Sequence, residues 1–305
     1  MTKTNELGGV FTFPGTDMTV NRMGYGAMQL AGPQVFGPPR DRAEAIAVVR
    51  EAVESGVNHI DTSDFYGPHV VNEILREALH PYPAGLTLVT KVGAKRGPNA
   101  EWIQSLDREL LVQSVEDNLR NLGVDALDVV NLRGSGLMTP DGSSMVGGME
   151  VLAELQQQGK IRHIGLSNVS REQFVEARKV APVVTVQNFY NVANRADDAF
   201  IDELAAEGIA YVPFFPLGGF SPLQSGTLNE VAAEVGATPM QVALARLLQR
   251  SPNILLIPGT STRVHLRENL AAAALRLSDD LLVKLDDVAK DAVRAEFHLA
   301  TASAH

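Results

Sequence analysis

From residue 22 onward, short apolar runs rich in aliphatic and β-branched residues alternate with longer stretches whose apolar positions recur every three or four residues. That is the pattern of strands covered on both faces, interleaved with amphipathic helices. Eight strand-like runs can be counted, at 22–28, 57–61, 86–92, 127–133, 161–167, 183–188, 209–215 and 253–259. The helical stretches between them include 41–56, 110–123 and 196–208, each closing on a glycine that suits a left-handed C-cap: Gly56, Gly123 and Gly208. Upstream, Val10 to Val20 alternates around the turn residues Pro14, Gly15 and Asp17, as a short hairpin does.

Eight apolar strands, each followed by a helix, predict an α/β fold of the parallel (β/α)8 TIM barrel type rather than a doubly wound sheet. A short β-hairpin would precede the barrel, with residues 1–305 forming one domain. Two connections, 134–148 after the fourth strand and 216–226 after the seventh, are long and rich in Gly, Ser and Pro. Both would rise from the C-terminal face, where barrel sites lie, and they read as lids.

Composition narrows the function. A formal net charge of −10, from 26 basic and 36 acidic residues, disfavours nucleic acid or an anionic membrane as a partner. With no cysteine, a disulfide framework, a thiol nucleophile and a thiolate metal site are excluded. The first ten residues lack the apolar core of a signal peptide, and no stretch approaches the ~20 apolar residues that a membrane span needs. The expectation is a cytoplasmic protein that acts on a small molecule and has no obligatory protein partner.

The chemistry gathers at strand ends. "HIDTSDFYG" (59–67) places Asp61 and then Tyr66 behind the second strand, Lys91 lies near the end of the third, and Arg133 closes the fourth. Each alone has a structural reading, Asp61 as a turn cap and Lys91 as a solvated strand end, but in a barrel all of them aim at one mouth. An Asp, a Lys and a Tyr in contact make a proton donor. Lys91 would lower the Tyr66 pKa from about 10, Asp61 would hold the lysine charged, and Tyr66 would protonate an alkoxide as it forms. A lysine at a strand end also suits a Schiff-base aldolase.

"NHIDTSDFYG", "VTKVG", "HIGLSN", "VQNFYN", "YVPFFPLGGF" and "IPGTSTRVHLREN", in this order and spacing, resemble the aldo-keto reductases across nearly the whole chain. The resemblance implies NADPH-dependent carbonyl reduction by an Asp, Tyr, Lys and His tetrad. Three members carry over as Asp61, Tyr66 and Lys91; where the family has His, five residues after Asp128, this chain has Arg133. An arginine there can donate to a carbonyl oxygen yet stays cationic, so the rate should show no histidine-like step. Alternatively Arg133 pairs with a lid carboxylate such as Asp141. Segments matching a branch of the family that also has arginine at this place imply pyridoxal as the substrate. A redox-sensing module that holds NADPH and regulates a partner, as some relatives do, is the second reading.

No G-x-G-x-x-G follows any strand, so a Rossmann site is not indicated. After the eighth strand, Gly259, Thr260, Ser261 and Thr262 lead into a helix whose first turns carry Arg263, His265 and Arg267. Such a helix start is an anion site and would suit a 2′-phosphate, with Arg263 against Arg267 undecided, although a Thr-capped helix with solvated arginines has the same pattern. By resemblance, Ser167, Asn168 and Gln187 would bind the nicotinamide carboxamide and Phe214 would stack on its ring. Pro216, Leu217 and Gly218 would strap the pyrophosphate, and Glu268 and Asn269 would lie near the adenine. Asn168 as a helix cap and Gln187 as a core amide are the structural alternatives. Met28, Gln29, Phe65 and His69 would wall the substrate, with a solvated loop residue as the alternative for His69. Metal is not expected, because the polar side chains of 59–69 alternate in direction and do not converge as ligands.

Overall fold

The apolar runs become the staves of a ring. In the computed structural model, which describes residues 7–288 except 137, 220–222 and 224, the chain opens with an antiparallel hairpin of β1 (Val10–Thr12) and β2 (Thr19–Asn21). The parallel sheet begins with β3 (Tyr25–Gly26), β4 (His59–Asp61) and β5 (Thr87–Val92). The chain then makes a second antiparallel hairpin, β6 (Ala94–Arg96) with β7 (Trp102–Gln104), off the C-terminal end of β5. The sheet resumes with β8 (Leu127–Arg133), β9 (Ile161–Ser167), β10 (Val183–Phe189) and β11 (Ala210–Phe214), each parallel to its neighbour.

The last predicted strand, 253–259, closes the ring through single bridges rather than as a regular ladder. Ile254 pairs with Tyr211 on one side, and Leu256 and Gly259 pair with Met23 and Gly26 on the other. Arg22 reinforces this seam by donating to the carbonyls of Leu248 (2.7 Å), Ser251 (2.6 Å) and Ile254 (3.1 Å). A Cβ built on Gly26 would stand 2.4 Å from the Ile257 carbonyl oxygen, so at this crossing only glycine fits.

Helices α1 (Arg42–Glu54), α2 (Val70–Leu79), α3 (Arg108–Leu122), α4 (Val146–Gln157), α5 (Arg171–Ala177) and α6 (Asp198–Ala206) follow their strands. They are joined by α7 (Gly226–Val235), α8 (Pro239–Arg250), α9 (Arg263–Ala271) and α10 (Asp279–Leu285). Local signals set their ends: Asp41 accepts from the Glu44 N–H at the start of α1, Thr238 and Gln241 form a capping box on α8, and Gly123 ends α3 at φ 72°. Ser170, not Asn168, caps α5. The end of the connection 134–148 is helical, since α4 begins at Val146.

The ring holds an inner core of Val89, Val129, Val184, Val212 and Leu255, into which the hairpin sends Phe13 and Val20. A larger core fills the space between strands and helices. Among the described residues no helix is long and apolar enough to cross a membrane.

Candidate active site

Side chains alternate along a strand, so the inward positions at the C-terminal ends of neighbouring staves face one another. Asp61 ends β4, Lys91 is one residue from the end of β5, Arg133 ends β8, and Gln187 is on β10. The Lys91 ammonium donates to Asp61 Oδ1 at 2.6 Å and to the Thr62 carbonyl at 2.9 Å, while Gln187 Nε2 donates to Asp61 Oδ2 at 2.7 Å. All three side chains are buried. Burial alone would discharge Lys91, but Asp61 and Tyr66 outweigh it and hold the ammonium above its usual pKa. An ammonium bound to both Asp61 and the Thr62 carbonyl is engaged as a charged hydrogen-bond donor, whereas a Schiff-base lysine acts as a free amine.

Tyr66 lies beside this pair, with the Lys91 nitrogen 5.3 Å from its ring centroid. Here the structure corrects the expectation from sequence. Burial pushes the phenol pKa up, and Lys91 and Arg133 offset this only in part, so Tyr66 stays protonated rather than drifting toward tyrosinate. The Arg133 guanidinium stands 5.5 Å from the Phe214 ring centroid and reaches Ser167 Oγ at 3.5 Å. Burial lowers its pKa, with Tyr66 opposing. Asp141 binds the N–H and hydroxyl of Ser143, so its carboxylate serves its own turn.

These groups floor a cavity of about 460 Å³. Met28, Gln29 and Phe65 line it, as do Phe214, Pro216, Leu217, Gly218 and Gly259. His69 does not reach it. At φ 67° and with its N–H on the Asp64 carbonyl, His69 turns its Nδ1 to Asp64 Oδ2 (2.6 Å) and Asn121 (3.1 Å), away from the mouth. Asp64, His69 and Asp117 bring three ligand atoms within 4.8 Å of one another, but Asp64 already accepts from Asn72 and Asn121.

Ser167 and Asn168 lie buried and outside the cavity walls; the Asn168 amide donates to the carbonyls of Ser135 and Gly136, at 3.1 and 2.9 Å, and so fastens the start of the connection after β8. Gln187 does line the cavity, and its Oε1 is buried without a partner there. The Phe214 ring and the side-chain-free backbones of Gly26 and Gly259 also line the cavity, and a ring face with close-approaching main chain fits a flat group such as nicotinamide.

Beyond the mouth, Thr262 caps α9 through the His265 N–H, and Thr260 accepts from the Thr262 N–H. Both candidate arginines already hold carboxylates of α1: Arg263 pairs with Glu44, which also accepts from the Arg263 N–H at 3.1 Å, and Arg267 pairs with Glu51. A phosphate at this terminus would share or displace those partners. Ser261 and His265 are exposed, Glu268 is half-buried and Asn269 is buried, all outside the cavity.

Several walls escaped the sequence reading, namely Ala94, Trp102 and Gln104 of the β6–β7 hairpin and Phe215, whereas Met138 comes from the connection 134–148 expected to act as a lid. The signal existed, since a Gly97-Pro98-Asn99 turn sits between the short runs that form the two strands.

His59 is buried under Asp61, its ring edge-on to Phe13 at 6.4 Å. Burial pushes its pKa down to about 4, with Asp61 opposing and Lys91 adding to the drop. An unfolded chain takes up this proton near pH 6.5, whereas the folded chain resists until about 4, so stability falls as pH drops through that window. Between pH 7 and pH 5 the wild type should lose about 2 kcal/mol more than His59→Leu in urea unfolding. Equal losses in the two proteins would refute this.

Residues 22–290 match the model of the Aldo/keto reductase family. Over 283 residues the chain is 64% identical to the pyridoxine 4-dehydrogenase of Escherichia coli, an overlap of 92% of this chain and 99% of that protein. Among solved structures, a thermostable aldo-keto reductase in complex with the inhibitor epalrestat superposes with a TM-score of 0.77 at 29% identity, covering 92% of this chain and 99% of that one. An aldo-keto reductase from Klebsiella pneumoniae in complex with NADPH gives 0.74 at 24% identity, covering 92% and 94%, a likeness of fold.

Proposed function

Since this chain belongs to the aldo/keto reductase family, we propose that it reduces the carbonyl of a small aromatic aldehyde, pyridoxal first among them, with NADPH as reductant. The observation that carries this reading is the buried contact of Asp61, Lys91 and Tyr66 at the floor of one cavity. Pyridoxal as substrate draws on the 64% identity to pyridoxine 4-dehydrogenase. Gln187, the Phe214 face and the glycine-lined wall would hold the nicotinamide, and the start of α9 would hold the phosphate.

When bound, NADPH supplies the hydride. The protein does the rest. Arg133 donates to the carbonyl oxygen and stabilises the negative charge growing there. The Tyr66 hydroxyl gives that oxygen its proton. Lys91 steadies the phenolate left behind, and Asp61 keeps Lys91 charged and in place. Because burial keeps Tyr66 protonated at rest, the resting enzyme already has the form that reduction uses.

The direct test follows the absorbance of reduced nicotinamide with pyridoxal, with a generic aromatic aldehyde and with no substrate. Rapid, saturable loss with pyridoxal is expected. Turnover of the generic aldehyde alone would overturn pyridoxal as the substrate, and NADPH binding with no turnover of either would favour the regulatory reading. Among the described residues no histidine lines the cavity, so kcat with pyridoxal should show no step between about pH 6 and 7. Such a step, lost in Arg133→Lys, would contradict the role given to Arg133.

A further inference from the structure

Arg96 sits at the end of β6, opposite Trp102 in the hairpin register, and does not itself line the cavity. Its guanidinium is spent on main chain and rings. It donates to the carbonyls of Val35 (2.9 Å), Gln34 (3.2 Å) and Ala100 (2.6 Å), and it lies 4.0 Å from the Trp102 ring centroid and 5.4 Å from that of Phe36. Gln34 and Val35 both adopt φ 58°, a left-handed conformation that costs a β-branched valine dearly and persists only where neighbours enforce it.

Two routes lead from this guanidinium to the proton donor. The first is main chain: the Val35 carbonyl also accepts from the Gly67 N–H at 3.2 Å, and the Gly37 N–H donates to the Gly67 carbonyl at 2.8 Å, which pins the residue that follows Tyr66. The second is aromatic: Trp102 meets Phe65 edge-on at 5.6 Å, and Phe65 meets Tyr66 edge-on at 5.3 Å. Trp102, Phe65 and Tyr66 all line the cavity.

We propose that Arg96 is a positioning residue for the reduction: it fixes Trp102 as the outer wall of the substrate pocket and, through Val35 and Gly67, holds the turn that presents Tyr66. Its kinetic consequence rests on the carbonyl-reductase reading, but its structural consequence does not. Trp102 is the single tryptophan of the chain, so its fluorescence reports on this wall alone.

The experiment compares wild type, Arg96→Ala, Arg96→Lys and Trp102→Leu. In Arg96→Ala, Trp102 emission should shift to the red and its quenching by acrylamide should rise about twofold, while the Kd for NADPH, read from the cofactor's own fluorescence, stays within twofold. With the aldehyde that the wild type turns over, KM should rise about tenfold and kcat should fall about threefold, since a displaced donor costs rate as well as binding. Arg96→Lys keeps one charged donor but cannot serve three carbonyls and a ring, so it should recover only part of the loss. Trp102→Leu should reproduce the KM effect but lower kcat by less than Arg96→Ala does, because the main-chain route through Val35 and Gly67 stays intact, and this separates the wall from the turn. Unchanged Trp102 emission in Arg96→Ala would overturn the proposal. So would a loss of NADPH binding and thermal stability matching the loss of activity, since that describes general loosening. If the emission shifts as stated while no aldehyde is reduced by the wild type, the reductase reading fails and the clamp stands.

Discussion

Replacing Tyr66 with phenylalanine should lower kcat for carbonyl reduction by about 10³-fold while KM changes little, because a positioned proton donor contributes roughly 10² to 10⁴ in rate. The substitution removes one oxygen and keeps the ring. The edge contact with Phe65 at 5.3 Å and the Lys91 ammonium at 5.3 Å from the ring centroid both survive it, so the pocket wall and the fold stay intact. On the proposed reading Arg133 would still donate to the carbonyl, which would leave ground-state binding in place, and NADPH binding should be equal in the two proteins. The result that defeats the assignment is a Tyr66→Phe enzyme retaining more than a tenth of wild-type kcat; the proton would then come from another group.

The second large effect concerns stability. Lys91 and Asp61 are both buried and joined at 2.6 Å, so Lys91→Met strands a carboxylate whose remaining partner is the neutral amide of Gln187. Breaking one side of a buried pair costs about 3–5 kcal/mol, whereas removing both sides is far milder. Lys91→Met and Asp61→Asn should therefore each lower the urea midpoint strongly, and the double variant should be destabilised by clearly less than the sum of the two. All three should lose most of their turnover, since none retains a charged lysine held beside Tyr66. Strict additivity in the unfolding free energies would show that the two charges do not depend on each other.

What could be read from the sequence, and what could not, follows from the range of each interaction. Asp61, Lys91 and Arg133 were legible because strand periodicity fixes direction, and a barrel sends every strand end to one face. The aromatic wall at Phe65 came with them. His69 was misplaced because its direction depends on a left-handed backbone angle that no side-chain pattern encodes. Trp102 was missed because three-residue strands fall below the length at which alternation is visible, and the hairpin that carries them interrupts the strand-helix rhythm. The sign of the Tyr66 shift needed burial as well as neighbours: the sequence names Lys91 as a partner but not the desolvation that outweighs it. The carboxylates on Arg263 and Arg267 come from a helix more than 200 residues earlier, beyond any local signal.

The seam between the first and last staves bears on how the chain is made. Arg22 and Gly24 bond to residues 248–256, up to 232 positions downstream, so the first stave has no outer neighbour until the last one emerges. At ordinary synthesis rates of about 5–20 residues per second, that interval is on the order of tens of seconds. Throughout it, the outer edge of β3 is an open template for strand pairing with other chains. Aggregation during synthesis should therefore rise when translation is slowed across 230–260, since that lengthens the exposure.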